Sequence, residues 1–445
     1  MIRIKKKPSA AQVMAFGFAA IILLGGLLLM LPVCNRSGQS IPFLNALFTS
    51  TSATCVTGLV VYDTYTQFTF WGQLVILLLI EIGGLGFMTV ALLFSMALGR
   101  RIGLKERSLL AETVSAMQIG GVVRLLRHVL LGTLFFEGAG AALLSFRFIP
   151  EFGLARGIWY GVFHAVSAFC NAGFDLMGVR APFSSLTGYA GDPLVILTIA
   201  SLIIIGGLGF IVWDDLRACG RHWRRYALHT KVVLACTGAL ILGGTLLMLL
   251  LEHGASLAGL RDGKRLLAAF FQAVTPRTAG FNSVDLTRLG HGGRLLITLL
   301  MFVGASPGST AGGVKTTTLA VVLASLSSYL HGRRDVNLFH YQIEPQVVRR
   351  AYCSMTLYTL LILGGSFVLT AQGAAAERAV FETVSAIGTV GLSLGLTPFL
   401  PALSRLALIL LMYAGRVGSL SVFMAVTEAR QPDILQNPVG KITIG

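Results

Sequence analysis

Of the 445 residues, 55% are hydrophobic and only 12% are charged. That leaves too little polar surface to clothe a soluble globule of this length, so a membrane protein is expected. The formal charge of +16 raises nucleic acid as a partner, because a basic balance is its footprint, and where the charges fall must decide the matter.

The first apolar run, Phe16 to Leu31, follows "RIKKK" and leads into "LPVCNRSG". With no small-x-small cleavage pattern, it reads as a retained first helix rather than a removed signal. Further long runs are Leu74 to Leu98, Leu194 to Trp213, Val232 to Leu251, Met355 to Leu369 and Leu406 to Val426. Several reach the ~20 residues a helix needs to cross hydrocarbon.

Between the long runs lie four shorter amphipathic segments, "FLNALFTSTSA", "WYGVFHAVSAF", "LLAAFFQAVTP" and "AVFETVSAI". They are too brief to span a bilayer and read as re-entrant helices. Each leads into a glycine stretch: "TCVTGL", "CNAGFD", "RTAGFN" and "GTVGLS". The glycines Gly58, Gly173, Gly280 and Gly391 follow one another at intervals of 115, 107 and 111 residues. A near-constant period of this kind marks an internal repeat.

The predicted fold is an all-α polytopic membrane protein with four tandem copies of helix, pore helix, glycine loop and helix. Eight transmembrane helices would surround a central pseudo-fourfold pore. The repeats are placed at residues 1–107, 108–222, 223–340 and 341–445, with pore loops near 54–59, 170–175, 277–282 and 388–393. The second long helix of each copy carries another glycine cluster: "EIGGLGF", "IIGGLGF", "VGASPGS" and "YAGRVGS". Small residues there permit close helix approach, and the third cluster alone is enlarged into the polar stretch "GASPGSTAGGVKTTT".

This topology puts both termini on one side and assigns 21 of the 35 Lys and Arg residues to that side. They include Arg3 and Lys5 to Lys7, Arg100 to Arg127, Arg217 to Lys231, Arg333 to Arg350, Arg430 and Lys441. The asymmetry follows the positive-inside rule, so the basic balance reports orientation and contact with membrane lipid. No nucleic acid partner is expected.

Backbone leaves helical form inside a membrane only where it is buried in protein or lines water. Four symmetric departures at one depth therefore imply a shared aqueous path. Glycine tolerates positive φ and close backbone approach, which lets neighbouring carbonyls replace the hydration shell of a cation. The predicted filter comprises Cys55, Val56, Thr57 and Gly58; Asn171, Ala172, Gly173 and Phe174; Thr278, Ala279, Gly280 and Phe281; and Thr389, Val390, Gly391 and Leu392. Main-chain oxygens serve as ligands, so side chains vary among copies while the glycine stays. One glycine per copy implies a short filter.

The fourfold plan, these filter sequences and "GSTAGGVKT" closely resemble the bacterial Trk/Ktr/HKT superfamily of K⁺ transporters, and the Ktr-type membrane pore subunit most of all. The resemblance spans essentially the whole chain. It implies K⁺ uptake across the bacterial inner membrane with both termini cytoplasmic, homodimerisation, and a ring of cytosolic regulatory subunits that bind nucleotide. It leaves Na⁺ dependence open, and it implies no cofactor in this chain. The gating loop of the resemblance maps to Gly304 through Lys315, with Ser306, Gly308, Ser309, Thr310, Gly312 and Gly313 between them, and its fourth-repeat arginine maps to Arg416. Glu81, an acid at membrane depth in "LIEIGGLGF", is not accounted for by the resemblance.

A nucleotide P-loop reading of "GSTAGGVKT" fails because Val314 separates Gly313 from Lys315 and membrane helices flank the stretch. A charged residue at membrane depth is costly and ordinarily faces a cavity or partner. Arg416 is expected to hold carbonyls freed by the broken "GASPGSTAGG" backbone and close the path below the filter. Asp175, Asn282 and Asp285 follow filter loops near the outer mouth, where carboxylates concentrate cations, while Glu137 falls within an apolar run. His164 lacks a second ligand at metal spacing and is expected to pack. The six cysteines, widely separated, read as small buried residues rather than a metal or disulfide framework. The rival readings are a membrane-embedded enzyme and a non-conducting scaffold.

Overall fold

In the computed structural model, residues 10–86, 89 and 122–418 are described. Readings that concern the remaining residues, among them the repeat boundary at 107, Arg430, Lys441 and the N-terminal basic residues, lie outside them.

Four unbroken helices, Ala10–Met30, Val122–Phe152, Leu228–Glu252 and Pro345–Ala371, open the four repeats. At 1.5 Å rise per residue even the 21-residue first helix reaches the ~30 Å of a hydrocarbon core. Their outward faces expose large apolar side chains such as Leu23, Leu27, Leu134, Phe135, Leu242, Leu246, Leu363 and Phe367. The interior holds hydroxyls instead: Ser50, Thr51, Ser52, Ser167, Thr275, Thr383 and Ser385 are all buried. Apolar outside and polar inside is the pattern of a chain solvated by lipid around a polar path.

The predicted re-entrant segments are the helices Phe43–Thr54, Leu154–Phe169, Asp262–Val274 and Ala376–Ile387, 12 to 16 residues long. The second begins five residues before its predicted start, and the third ends ahead of Pro276, which cannot donate to a helix ladder. Small residues bring these pore helices close to the outer helices. A Cβ on Gly25 would meet Ser50 Oγ at 2.5 Å, one on Gly244 would meet Ala273 Cβ at 3.1 Å, and one on Gly365 would meet Thr383 Cγ2 at 3.1 Å. Packing through small side chains is how helices associate where lipid supplies no hydrophobic drive.

The inner helices depart from a simple span. Phe70–Leu85 ends at Gly86 (φ 83°) and Ala402–Val417 ends at Gly418 (φ 94°). Pro193–Leu208 ends at Gly209 (φ 94°), and the following Phe210–Cys219 turns by 93°. In the third repeat, His291–Phe302 and Thr316–Leu330 are separated by the polar stretch. The second glycine clusters are therefore where described helices end as well as close-packing sites, and the third repeat's polar stretch is longer than the single-residue break at Gly209. A short antiparallel hairpin, Asn337–Leu338 with Tyr341–Gln342, follows the third inner helix.

Candidate ion-conduction site

Each pore helix ends directly before its glycine stretch, which aims the partial negative charge of four helix C-termini at a common centre. Beyond the helix ends the backbone conformation repeats. The residue two before each glycine has positive φ: Val56 at 49°, Asn171 at 56°, Thr278 at 70° and Thr389 at 51°. The glycines do too: Gly58 at 92°, Gly173 at 69°, Gly280 at 84° and Gly391 at 91°. Left-handed conformations at non-glycine residues are costly and persist where the surroundings impose them. Here they recur at four equivalent positions.

The four strands close on one another in order. A Cβ added to Gly58 would lie 2.5 Å from Ala172 O, and one on Gly173 would lie 2.5 Å from Ala279 O. The same addition would bring Gly280 against Val390 O and Gly391 against Thr57 O. First repeat touches second, second touches third, third touches fourth, and fourth returns to first. The carbonyls involved belong to the residue before each glycine, so a side chain there would push directly on the ring.

Pore-helix hydroxyls brace the ring from behind. Gly58 N–H donates to Ser52 Oγ at 3.0 Å and Gly391 N–H donates to Ser385 Oγ at 3.1 Å. In the other two repeats the hydroxyls donate, Ser167 Oγ to Phe174 O at 2.7 Å and Thr275 Oγ1 to Phe281 O at 2.5 Å. The Phe174 and Phe281 carbonyls, included in the predicted filter, are thus engaged by hydroxyls. These four braces were missed in the sequence, although a hydroxyl five or six residues before each repeat glycine is the signal that aligning the copies would have exposed.

A cavity of about 290 Å³ opens on one side of the ring, lined by all four glycines together with Asp63, Asp175, Asn282 and Asp285. A second, of about 320 Å³, is lined by Gly84, Gly86, Phe210, Gly308, Ser309, Lys315, Gly415 and Arg416. Asp175, Asn282 and Asp285 thus fall at the mouth. Glu137 does not; it is buried against Cys170, with its Oε1 3.9 Å from Sγ. His164 packs as expected, with Nδ1 2.7 Å from Tyr160 O and Nε2 accepting from Leu176 N–H at 3.3 Å.

The polar stretch lines the second cavity. Its ends meet: Val303 pairs with Val314, and Gly304 N–H donates to Val314 O at 2.8 Å. Backbone freed by the second repeat's break finds partners in it. Ser306 N–H donates to Gly207 O at 3.1 Å, Thr310 N–H donates to Gly206 O at 3.3 Å, and Phe210 N–H donates to Gly308 O at 2.9 Å. Thr310 Oγ1 reaches Phe169 O at 3.0 Å, at the end of the second pore helix. Gly312 and Gly313 lie against Thr389 and Gly388 O of the fourth strand. Lys315 Nζ turns back onto its own loop, donating to Ala311 O at 2.8 Å and Gly312 O at 3.3 Å.

Arg416 spans two elements. It donates to Thr310 O of the loop and to Gly83 O and Gly84 O, the last at 2.9 Å, at the end of the first repeat's inner helix. Gly83 O and Gly84 O lie in the last turn of their helix, where carbonyls run short of intrahelical donors, and Gly83 O also accepts from Gly86 N–H at 3.3 Å. The reach to the first repeat was not anticipated, because nothing in the sequence shows which helix end faces the fourth.

A family profile described as "TrkH: Cation transport protein" matches residues 13–435. The chain belongs to the TrkH cation transport family. Among TrkH relatives, the potassium/sodium uptake protein NtpJ of Enterococcus hirae is 42% identical, over 94% of this chain and 93% of its own length. The Ktr system potassium uptake protein B of Bacillus subtilis is also 42% identical, over 98% and 96%. The crystal structure of the potassium transporter TrkH from Vibrio parahaemolyticus superposes with a TM-score of 0.74 at 19% identity, over 96% of this chain and 87% of that one, which shows a shared fold. TrkH relatives are transport proteins, so the membrane-enzyme reading is set aside, and the chain is a multi-pass membrane protein.

Proposed function

We propose that the chain takes up K⁺ through the ring of backbone carbonyls at Gly58, Gly173, Gly280 and Gly391. The observation that carries this reading is the cyclic contact of the four glycine strands between two cavities. Thr57, Ala172, Ala279 and Val390 supply the principal oxygens, with the remaining carbonyls of 55–58, 171–174, 278–281 and 389–392 as candidates. Names of relatives as potassium or potassium/sodium uptake proteins support the cation class. Inward movement is favoured by the membrane potential, worth roughly 2.3 kcal/mol per charge for each 100 mV.

The polar stretch from Gly304 to Lys315 is the gate, with Ser306, Gly308, Ser309, Thr310, Gly312 and Gly313 shaping it and Arg416 latching it to the first repeat. Division into repeats at 107, 222 and 340, a bacterial inner-membrane location with cytoplasmic termini, homodimerisation and a nucleotide-binding cytosolic partner belong to the same proposal. The relative's designation as one part of a Ktr system supports a partner.

Growth of a K⁺-uptake-deficient host at low K⁺ tests transport against the scaffold reading. Rescue by the parent and loss of rescue by Gly280→Ser, at equal membrane abundance, are expected. Full rescue by Gly280→Ser contradicts the filter.

A further inference from the structure

We propose that Glu81, Glu137 and Cys170 form a binding site for a thiophilic divalent cation of the Zn²⁺ class, set against the base of the second filter strand. The three donors come from separate elements: the first repeat's inner helix, the second repeat's outer helix, and the residue capping the second pore helix. Cys170 Sγ is 3.5 Å from Glu81 Oε2 and 3.9 Å from Glu137 Oε1, and the three ligand atoms lie within 4.8 Å of one another. Small side-chain rotations bring such a set to the ~2.3 Å and ~2.0–2.2 Å bonds of sulfur and carboxylate oxygen to zinc.

The site is largely buried. Glu137 is 8% exposed and Cys170 is fully buried. Among the described residues neither carboxylate has an ion pair with lysine, arginine or histidine. Arg416, close along the first inner helix, directs its donors to the carbonyls of Gly83, Gly84 and Thr310. Buried carboxylates need compensating positive charge. Without a metal, protons supply it: the Cys170 thiol donates toward Glu81 Oε2 and Glu137 Oε1, and a bound cation takes the place of those protons.

One sulfur and two carboxylate oxygens suit Zn²⁺ or Cd²⁺ and are wrong for the all-oxygen shells of Mg²⁺ and Ca²⁺. Three protein ligands leave one tetrahedral position for water. On binding, the metal–sulfur bond forms as the Cys170 S–H bond breaks, and the thiol proton passes to solvent with any proton the carboxyls share. Because Cys170 directly precedes Asn171, the bound ion ties two helices to the second filter strand.

Purified full-length protein titrated with Cd²⁺ tests this through the ultraviolet thiolate-to-metal charge-transfer band. One equivalent of band is expected to disappear in Cys170→Ser relative to the parent, the other five cysteines being common to both. Glu137→Gln is expected to weaken that equivalent by about tenfold or more, Zn²⁺ to compete, and excess Mg²⁺ not to. If Cys170→Ser does not fold, Glu81→Gln and Glu137→Gln carry the same comparison in the parent. An identical band in Cys170→Ser, unchanged affinity in both glutamine variants, or displacement by Mg²⁺ as effective as by Zn²⁺ overturns the proposal.

Discussion

Gly58→Ala paired with Gly38→Ala separates backbone strain from crowding of the ring. Both glycines have positive φ, 92° and 67°, so alanine costs each about 1–2 kcal/mol in a left-handed conformation. Around Gly38 an added Cβ meets nothing within 4 Å, whereas at Gly58 it lies 2.5 Å from Ala172 O. Ordinary contact begins at 3.4 Å, so that oxygen must yield about 0.9 Å. Losing one carbonyl's interaction with a charged guest, taken at roughly 1.5–3 kcal/mol, is a factor of roughly ten to a hundred and fifty in occupancy. Uptake of radiolabelled Rb⁺ into proteoliposomes should fall by that factor in Gly58→Ala and stay near the parent in Gly38→Ala. Equal loss in both would make strain, not the ring, the cause; equal retention would remove Ala172 O from the conducting path.

Arg416→Ala should raise Rb⁺ flux by freeing Thr310 from Gly83 and Gly84, and Arg416→Lys should not restore the parent rate, since one ammonium lacks the planar fork that serves two directions; unchanged flux in Arg416→Ala at equal reconstitution would count against a latch. His164→Phe leaves Leu176 N–H without its acceptor, a buried cost of about 1–3 kcal/mol, and should lower the thermal unfolding midpoint in detergent. A midpoint equal to the parent's would mean that Leu176 finds another partner.

How much was legible in the sequence follows from what was local. The glycine period and the short amphipathic segments are features of contiguous residues, and they led to four pore helices and to Gly58, Gly173, Gly280 and Gly391 in one ring. The helix ends at Gly86, Gly209 and Gly418 were harder to read, because a glycine in an apolar helix serves equally for close packing, and these clusters do both. The Arg416 contact with Thr310 follows from facing segments, but its contact with the first repeat depends on how four inner helices converge. Glu81, Glu137 and Cys170 lie far apart in the chain and carry no motif spacing, so only folding brings them together. The carbonyls of Phe174 and Phe281 also accept from Ser167 Oγ and Thr275 Oγ1, seven and six residues earlier, contacts that position in the chain alone did not reveal.

Competition against Rb⁺ uptake by the purified chain in proteoliposomes bears most directly on the carbonyl ring. K⁺ is expected to displace Rb⁺ at far lower concentration than Na⁺ in the parent, and Gly280→Ser, which presses on Val390 O, is expected to narrow that difference. Equal displacement by K⁺ and Na⁺ in the parent, or a difference untouched by Gly280→Ser, would contradict selection of K⁺ by the four glycine strands.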